Sequence, residues 1–90
     1  MECCEMKISG RVQRVGFRYF TMQAALQWGV KGWVKNMPDG SVLCHAQGDA
    51  GAMKAFRAEV RKGPSFGRVD EIEETSLPET TQYTDFQITY

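Results

Sequence analysis

Along residues 4–12 the chain alternates, with Cys4, Met6, Ile8 and Val12 on one side and Glu5, Lys7 and Ser9 on the other. A period of two with one apolar side predicts a half-buried strand. From Phe17 to Trp28 the period lengthens. Phe17, Phe20, Ala24, Ala25 and Trp28 recur at three and four, as on a helix face, and Gly29 stands where a helix ends. Two further runs, 30–36 and 41–47, flank Met37-Pro38-Asp39-Gly40, whose Pro-Asp-Gly tip predicts a hairpin turn. Val30, Gly32 and Val34 share one face of the first run; Val42, Cys44 and Ala46 share one face of the second.

Gly48-Asp49 opens a second helix with Asp49 as its N-cap; Met53, Phe56 and Val60 form the apolar stripe, and Gly63-Pro64 ends it. Residues 66–74 read as a weaker strand. Val69 and Ile72 are three apart, which predicts a bulge or a short edge strand. Residues 77–82 read as a loop, and 83–90 as a terminal strand in which Phe86, Ile88 and Tyr90 alternate. The order strand, helix, strand, strand, helix, strand fits an α+β fold, the ferredoxin-like βαββαβ sandwich: an antiparallel sheet with two helices on one face, here with a short C-terminal strand. All 90 residues are expected to form a single domain, long enough to bury a core without metals or a disulfide framework. Such a fold hosts many functions and decides none.

Charge narrows the field. Eleven basic and eleven acidic side chains cancel, which speaks against a general nucleic-acid or membrane-surface binder. No apolar run approaches the ~20 residues that span a bilayer. Residues 1–9, interrupted by Glu2, Glu5 and Lys7, do not read as a signal peptide. Three cysteines, Cys3, Cys4 and Cys44, suit a reducing cytoplasm, with a Cys3–Cys44 or Cys4–Cys44 bridge across neighbouring strands left open.

Between the first strand and the first helix stands Gly10-Arg11-Val12-Gln13-Arg14-Val15-Gly16-Phe17-Arg18. Two glycines and three arginines at a strand-to-helix turn can aim backbone N–H groups and the positive end of a helix at one anion. Arg18, in the first turn, can offer a two-pronged guanidinium to phosphate oxygens. A glycine-containing turn with solvated arginines satisfies the same spacing.

Other routes to phosphate chemistry fail. Six residues after Cys3, Cys4 and Cys44 stand Ser9, Gly10 and Ala50, so no cysteine has its phosphate-binding arginine; there is no Asp-x-Asp pair and no Walker-type Gly-Lys-Ser/Thr. No His, Cys, Asp or Glu grouping has metal-ligand spacing, so no metal or cofactor is expected. His45, the single histidine, reads as a sheet-face residue, and the acids at 70–74 as a solvated edge. Catalysis without covalent intermediate, metal or base requires a phosphate with a good leaving group, polarised by the loop, and a positioned water. Asn36, with the face parity of Val30 and Val34, is the polar side chain available for that water; an asparagine before a hairpin is also an ordinary turn former.

Gly-Arg-Val-Gln-x-Val-Gly-Phe-Arg at 10–18, Gly-Trp-Val-Lys-Asn at 32–36 and Asp-Gly-Ser-Val at 39–42 resemble acylphosphatase across nearly the whole chain. The resemblance implies hydrolysis of small-molecule acyl phosphates to carboxylate and inorganic phosphate. It implies that Gln13, Arg14, Val15, Gly16, Phe17 and Arg18 hold the phosphate, that Arg18 and Asn36 are catalytic, and that Asn36 orients the attacking water. It further implies a Tyr90 carboxylate paired with Arg18, and a cytoplasmic monomer. Arg14 departs from the family pattern, which has glycine there; replacement by glycine is expected to raise catalytic efficiency. A non-catalytic phosphate- or RNA-binding module on the same fold is the competing reading. RNA would call for exposed aromatics on the central strands, where Trp33 stands alone.

Overall fold

The computed structural model describes residues 1–78 and 82–90. Its elements are β1 (Glu2–Arg11), α1 (Phe17–Trp28), β2 (Lys31–Asn36), β3 (Val42–Gly48), α2 (Ala50–Lys62), β4 (Arg68–Ser76) and β5 (Phe86–Ile88). The five strands form one sheet in the order β4-β1-β3-β2-β5. The first four pair antiparallel, as expected of a ferredoxin-like sandwich. The short terminal strand, β5, lies parallel to β2, so the sheet is mixed. Part of the loop expected over 77–82 lies outside the described residues.

Alternation in the strands decides the core. Cys4, Met6 and Ile8 of β1 and Val42, Cys44 and Ala46 of β3 face inward, register against one another, and are covered by Ala24 and Ala25 of α1 and Met53, Phe56 and Val60 of α2. Phe17, at the start of α1, and Phe86 of β5 belong to the same core. Each such large side chain removed from water contributes about 1.5–3 kcal/mol. In α1 the buried stripe differs from the apolar spacing. Thr21 is fully buried, its hydroxyl donating to the Phe17 carbonyl oxygen at 2.9 Å, while Trp28 is exposed. A threonine satisfied within its own helix can sit where a larger ring would not fit.

The bulge expected near Val69 and Ile72 is present. Ile8 pairs with Ile72 and Ser9 with Glu71, but Gly10 pairs with Val69, leaving Asp70 without an opposite residue. Gly10 is what permits it: at φ 131°, a Cβ there would lie 2.2 Å from the Arg68 carbonyl oxygen. The strand itself is nine residues long rather than short. All three cysteines are free and buried. Cys4 registers against Ala46 and Cys3 against Gln47, so no bridge to Cys44 forms. Burial pushes the Cys4 thiol up to about 11, and Cys44 further still.

Candidate active site

The chain leaves β1 at Arg11 and enters α1 at Phe17, and the five residues between form the loop that the sequence singles out. Gly16 is the N-cap of α1 at φ 76°, ψ 21°, and no side chain caps the helix. The contrast with α2 is direct: there Asp49 accepts a hydrogen bond from the Ala52 amide at 2.8 Å, as its position predicts. The first-turn N–H groups of α1 therefore keep their partial positive charge for something outside the helix, and no acidic side chain stands in that turn.

Arg14 holds φ 65°, and it is the single non-glycine residue with positive φ among the described residues. The loop thus turns left-handed at the position where the acylphosphatase pattern has glycine, and it does so with arginine in place.

Gln13 has a different task from its neighbours. Its Nε2 donates to the carbonyl oxygens of Met37 and Ser41, each at 2.8 Å. These belong to the β2–β3 turn, which is closed by Met37 N–H to Ser41 O at 2.8 Å and Gly40 N–H to Met37 O at 3.1 Å. The loop is thereby fastened to the hairpin that begins immediately after Asn36. The hairpin tip is braced from its other side: Asp39 accepts from the Ser41 hydroxyl at 2.6 Å and amide at 2.9 Å, and meets Lys7 Nζ at 3.1 Å. Those contacts, the serine's first, hold the Asp39 carboxyl down at about 2.

A cleft of about 300 Å³ opens between loop, helix start and the ends of β2 and β5. Val12, Arg14, Gly16, Phe17, Arg18, Tyr19, Asn36, Ile88 and Tyr90 line it. Of the residues named from sequence, Arg14, Gly16, Phe17, Arg18 and Asn36 come together on this wall. The side chains of Gln13 and Val15 do not: the first reaches the hairpin, and the second packs on the core. Val12, Tyr19 and Ile88 were not anticipated. Tyr19 could have been found from its place beside Arg18 in the first helical turn; Ile88 could not, because its position depends on the parallel pairing of β5.

Within the cleft Arg18 is held on two sides. Its Nη1 donates to the Thr89 carbonyl oxygen at 3.3 Å, and its guanidinium carbon lies 4.7 Å from the centre of the Tyr90 ring. The expected pairing of Arg18 with the Tyr90 carboxylate is not made among the described residues; the contact is with the aromatic face instead, which leaves other N–H edges of the fork free. Asn36 lies on the inward-facing side of β2, as its parity predicts. Its Oδ1 is buried and has no hydrogen-bond partner among the described residues. An unsatisfied buried carbonyl oxygen costs about 1–3 kcal/mol unless a ligand or water donates to it. Among the described residues no Asp, Glu, His or Cys lines the cleft. Among the described residues no three such side chains are placed to hold a metal ion.

The other titratable cluster lies on the open face of the sheet, away from the cleft. His45 is hydrogen-bonded to Glu5 Oε1 at 2.9 Å and to the Tyr83 hydroxyl at 3.1 Å, and its ring stacks on Trp33 at 4.2 Å.

Comparison with known proteins agrees with this geometry. The family model described as acylphosphatase matches residues 4–88. The chain belongs to the acylphosphatase family. An acylphosphatase of Oceanobacillus iheyensis is 47% identical over 91 residues, covering the whole of both chains. One from Thermotoga maritima is 48% identical over 92 residues, covering all of this chain and 99% of its own. The crystal structure of the Bacillus subtilis acylphosphatase superposes with a TM-score of 0.96 at 37% identity, over the full length of each. As a member of this family the chain is a hydrolase acting on small-molecule acyl phosphates. Among the described residues no helix is long and apolar enough to cross a membrane.

Proposed function

We propose that this enzyme cleaves the carboxyl–phosphate bond by direct attack of water on phosphorus, with the loop amides of 13–18 and Arg18 holding the phosphoryl group and Asn36 holding the water. The observation that carries the reading is the unpartnered, buried Oδ1 of Asn36 in the same cleft as Arg18. It is a hydrogen-bond acceptor with no donor among the described residues, and a water approaching bound phosphate has a proton to offer it.

The steps balance without a protein base. The phosphoryl group enters with its oxygens against the open first turn of α1 and the free edge of the Arg18 fork, both fixed before substrate arrives. Asn36 Oδ1 accepts one hydrogen bond from water and aims its lone pair at phosphorus. As the new P–O bond forms, the bond to the acyl oxygen breaks, and its electron pair leaves on a carboxylate, which needs no acid to assist it. The water's proton passes to a phosphoryl oxygen of the substrate. That route suits a cleft whose described lining residues include no Asp, Glu, His or Cys. No cofactor takes part, and the enzyme works as a cytoplasmic monomer.

The test is hydrolysis of benzoyl phosphate by the protein beside Arg18→Ala and Asn36→Ala, with folding checked by circular dichroism. We expect Asn36→Ala to lower kcat by about 10²-fold or more with KM little changed, and Arg18→Ala to lower kcat/KM at least as far. Activity that survives Arg18→Ala overturns the mechanism. A non-catalytic phosphate- or RNA-binding module is less well supported. Trp33, the aromatic a base would need, already stacks on His45. Tight RNA binding with a steep salt slope and no hydrolysis would favour it instead.

A further inference from the structure

We propose that Arg14 selects acyl phosphates whose acyl group carries a negative charge of its own, its guanidinium serving as a second anion-binding group in the cleft. This rests on the reading of 13–18 as the phosphate loop and deepens it by naming a substrate class.

Arg14 occupies a left-handed turn position at φ 65°. A turn that needs only positive φ is served by glycine without strain. What arginine adds there is a cation, and the cleft is where it stands: Arg14 and Arg18 line the same wall, with no Asp or Glu among the described lining residues to neutralise either. Arg11 and Arg61 are exposed and lie outside the lining of the cleft, whereas the remaining three arginines are each held by a partner. Arg57 is bound by Glu74 and Glu2, Arg68 by Asp70, and Arg18 by the Thr89 carbonyl oxygen and the Tyr90 ring. Arg14 is exposed and takes part in no hydrogen bond or ion pair among the described residues. It is a strained cation left free at a ligand cleft.

The phosphoryl end of the substrate does not require it. An acyl phosphate presents three non-bridging oxygens, and a bidentate guanidinium together with several helix-start amides already supplies donors for all three. A second guanidinium in the same cleft is in surplus for that group. It is available to an anion some ångströms away on the same molecule, a carboxylate or a phosphate carried by the acyl part. Val12, Tyr19 and Ile88 supply apolar surface in the same cleft for the carbon skeleton joining the two charges.

The experiment compares kcat/KM for benzoyl phosphate with that for its 3-carboxy and 4-carboxy derivatives, whose rigid ring keeps the added carboxylate from attacking the mixed anhydride. The quantity read is the ratio of charged to uncharged substrate, followed from wild type to variant so that intrinsic reactivity cancels. We expect the better of the two ratios to fall about fivefold in Arg14→Gly and in Arg14→Asn, the effect of one charge-assisted contact at a partly exposed site. Asparagine tolerates the left-handed turn without the charge, so agreement of the two variants separates charge from loop geometry. Arg14→Lys retains part of the preference, and the wild-type ratio declines as salt is raised. A ratio unchanged in both Arg14→Gly and Arg14→Asn overturns the proposal. So does an equal loss on all substrates, which would assign Arg14 to the phosphoryl group. Arg18→Ala is run alongside: it lowers charged and uncharged substrates together, and its failure to do so would overturn the phosphate-loop reading itself, independently of the ratio.

Discussion

Gln13 reaches 24 residues along the chain to donate its side-chain N–H to the Met37 carbonyl oxygen at 2.8 Å. The same nitrogen serves Ser41, so one carboxamide ties the anion loop to the turn that follows Asn36. One half of the site comes from the β1–α1 loop and the other from the β2–β3 hairpin, and this is a direct polar link between them.

Replacing Gln13 by alanine removes both bonds at once. Each of the two carbonyl oxygens loses one of its two donors and keeps the N–H of the turn, at a cost of about 1 kcal/mol in stability. We expect kcat/KM on benzoyl phosphate to fall about tenfold, because loop amides and Asn36 lose their common reference. Gln13→Glu behaves the same way, since a carboxylate cannot donate to carbonyls. Urea unfolding together with steady-state kinetics checks both parts; destabilisation with unchanged kinetics would mean that the loop keeps its place without the hairpin.

Arg14→Gly relieves the left-handed strain. That strain is about 1–2 kcal/mol for an L-residue, offset in part by the greater freedom of glycine in the unfolded chain. A net gain of about 1 kcal/mol is expected, visible as a higher urea midpoint at constant slope. Catalytic efficiency on benzoyl phosphate rises as well, because the cleft loses a bulky side chain that an uncharged acyl group does not use. A lower midpoint would show that the arginine makes contacts that outweigh its backbone cost.

Gly10→Ala acts in the opposite sense. The added Cβ would lie 2.2 Å from the Arg68 carbonyl oxygen, so β4 must move away or the bulge must unwind. With positive φ as a second penalty, a loss of about 2–3 kcal/mol is expected. Amide exchange should quicken across 68–76 before the rest of the sheet, reporting that edge strand first.

The Asp39 carboxyl is held down at about 2, from 3.8, by the Ser41 hydroxyl and amide and by Lys7. A carboxyl depressed in the folded state contributes stability that is present above pH 3.8 and lost as pH falls through about 2. Asp39→Asn should therefore flatten the acid limb of the stability curve in that window and leave the curve's shape above pH 5 unchanged. Because Asp39 is exposed, the difference is small. Equilibrium unfolding between pH 2 and 6 measures it, and identical acid limbs would remove Asp39 from the account.

Much of the fold could be read along the chain, for a physical reason. Strict alternation over residues 4–8 and 42–46 and the three–four spacing of Met53, Phe56 and Val60 each point one face inward, and burial follows. Capping was legible too: Asp49 before α2 and Gly29 after α1 do what their chemistry allows locally. In α1 the spacing overstated the stripe: Trp28 is exposed, while Thr21 is buried because its hydroxyl satisfies itself on the Phe17 carbonyl oxygen. The parallel seat of β5 on β2 left no local mark, since the direction of a three-residue strand is set by the neighbour it reaches.

The strand-to-helix loop, with its glycines, Arg18 and the inward parity of Asn36, is a local matter of residue type and spacing, and those can be read one after another. Their convergence on one cleft is not local. It depends on the sheet order that sets β2 beside β5, on Gln13 crossing to the hairpin, and on Thr89 and Tyr90 arriving against Arg18. Long-range packing chose those partners, and so it decided that Asn36 would be left with a buried acceptor, and Arg14 with a charge, that no other described residue satisfies.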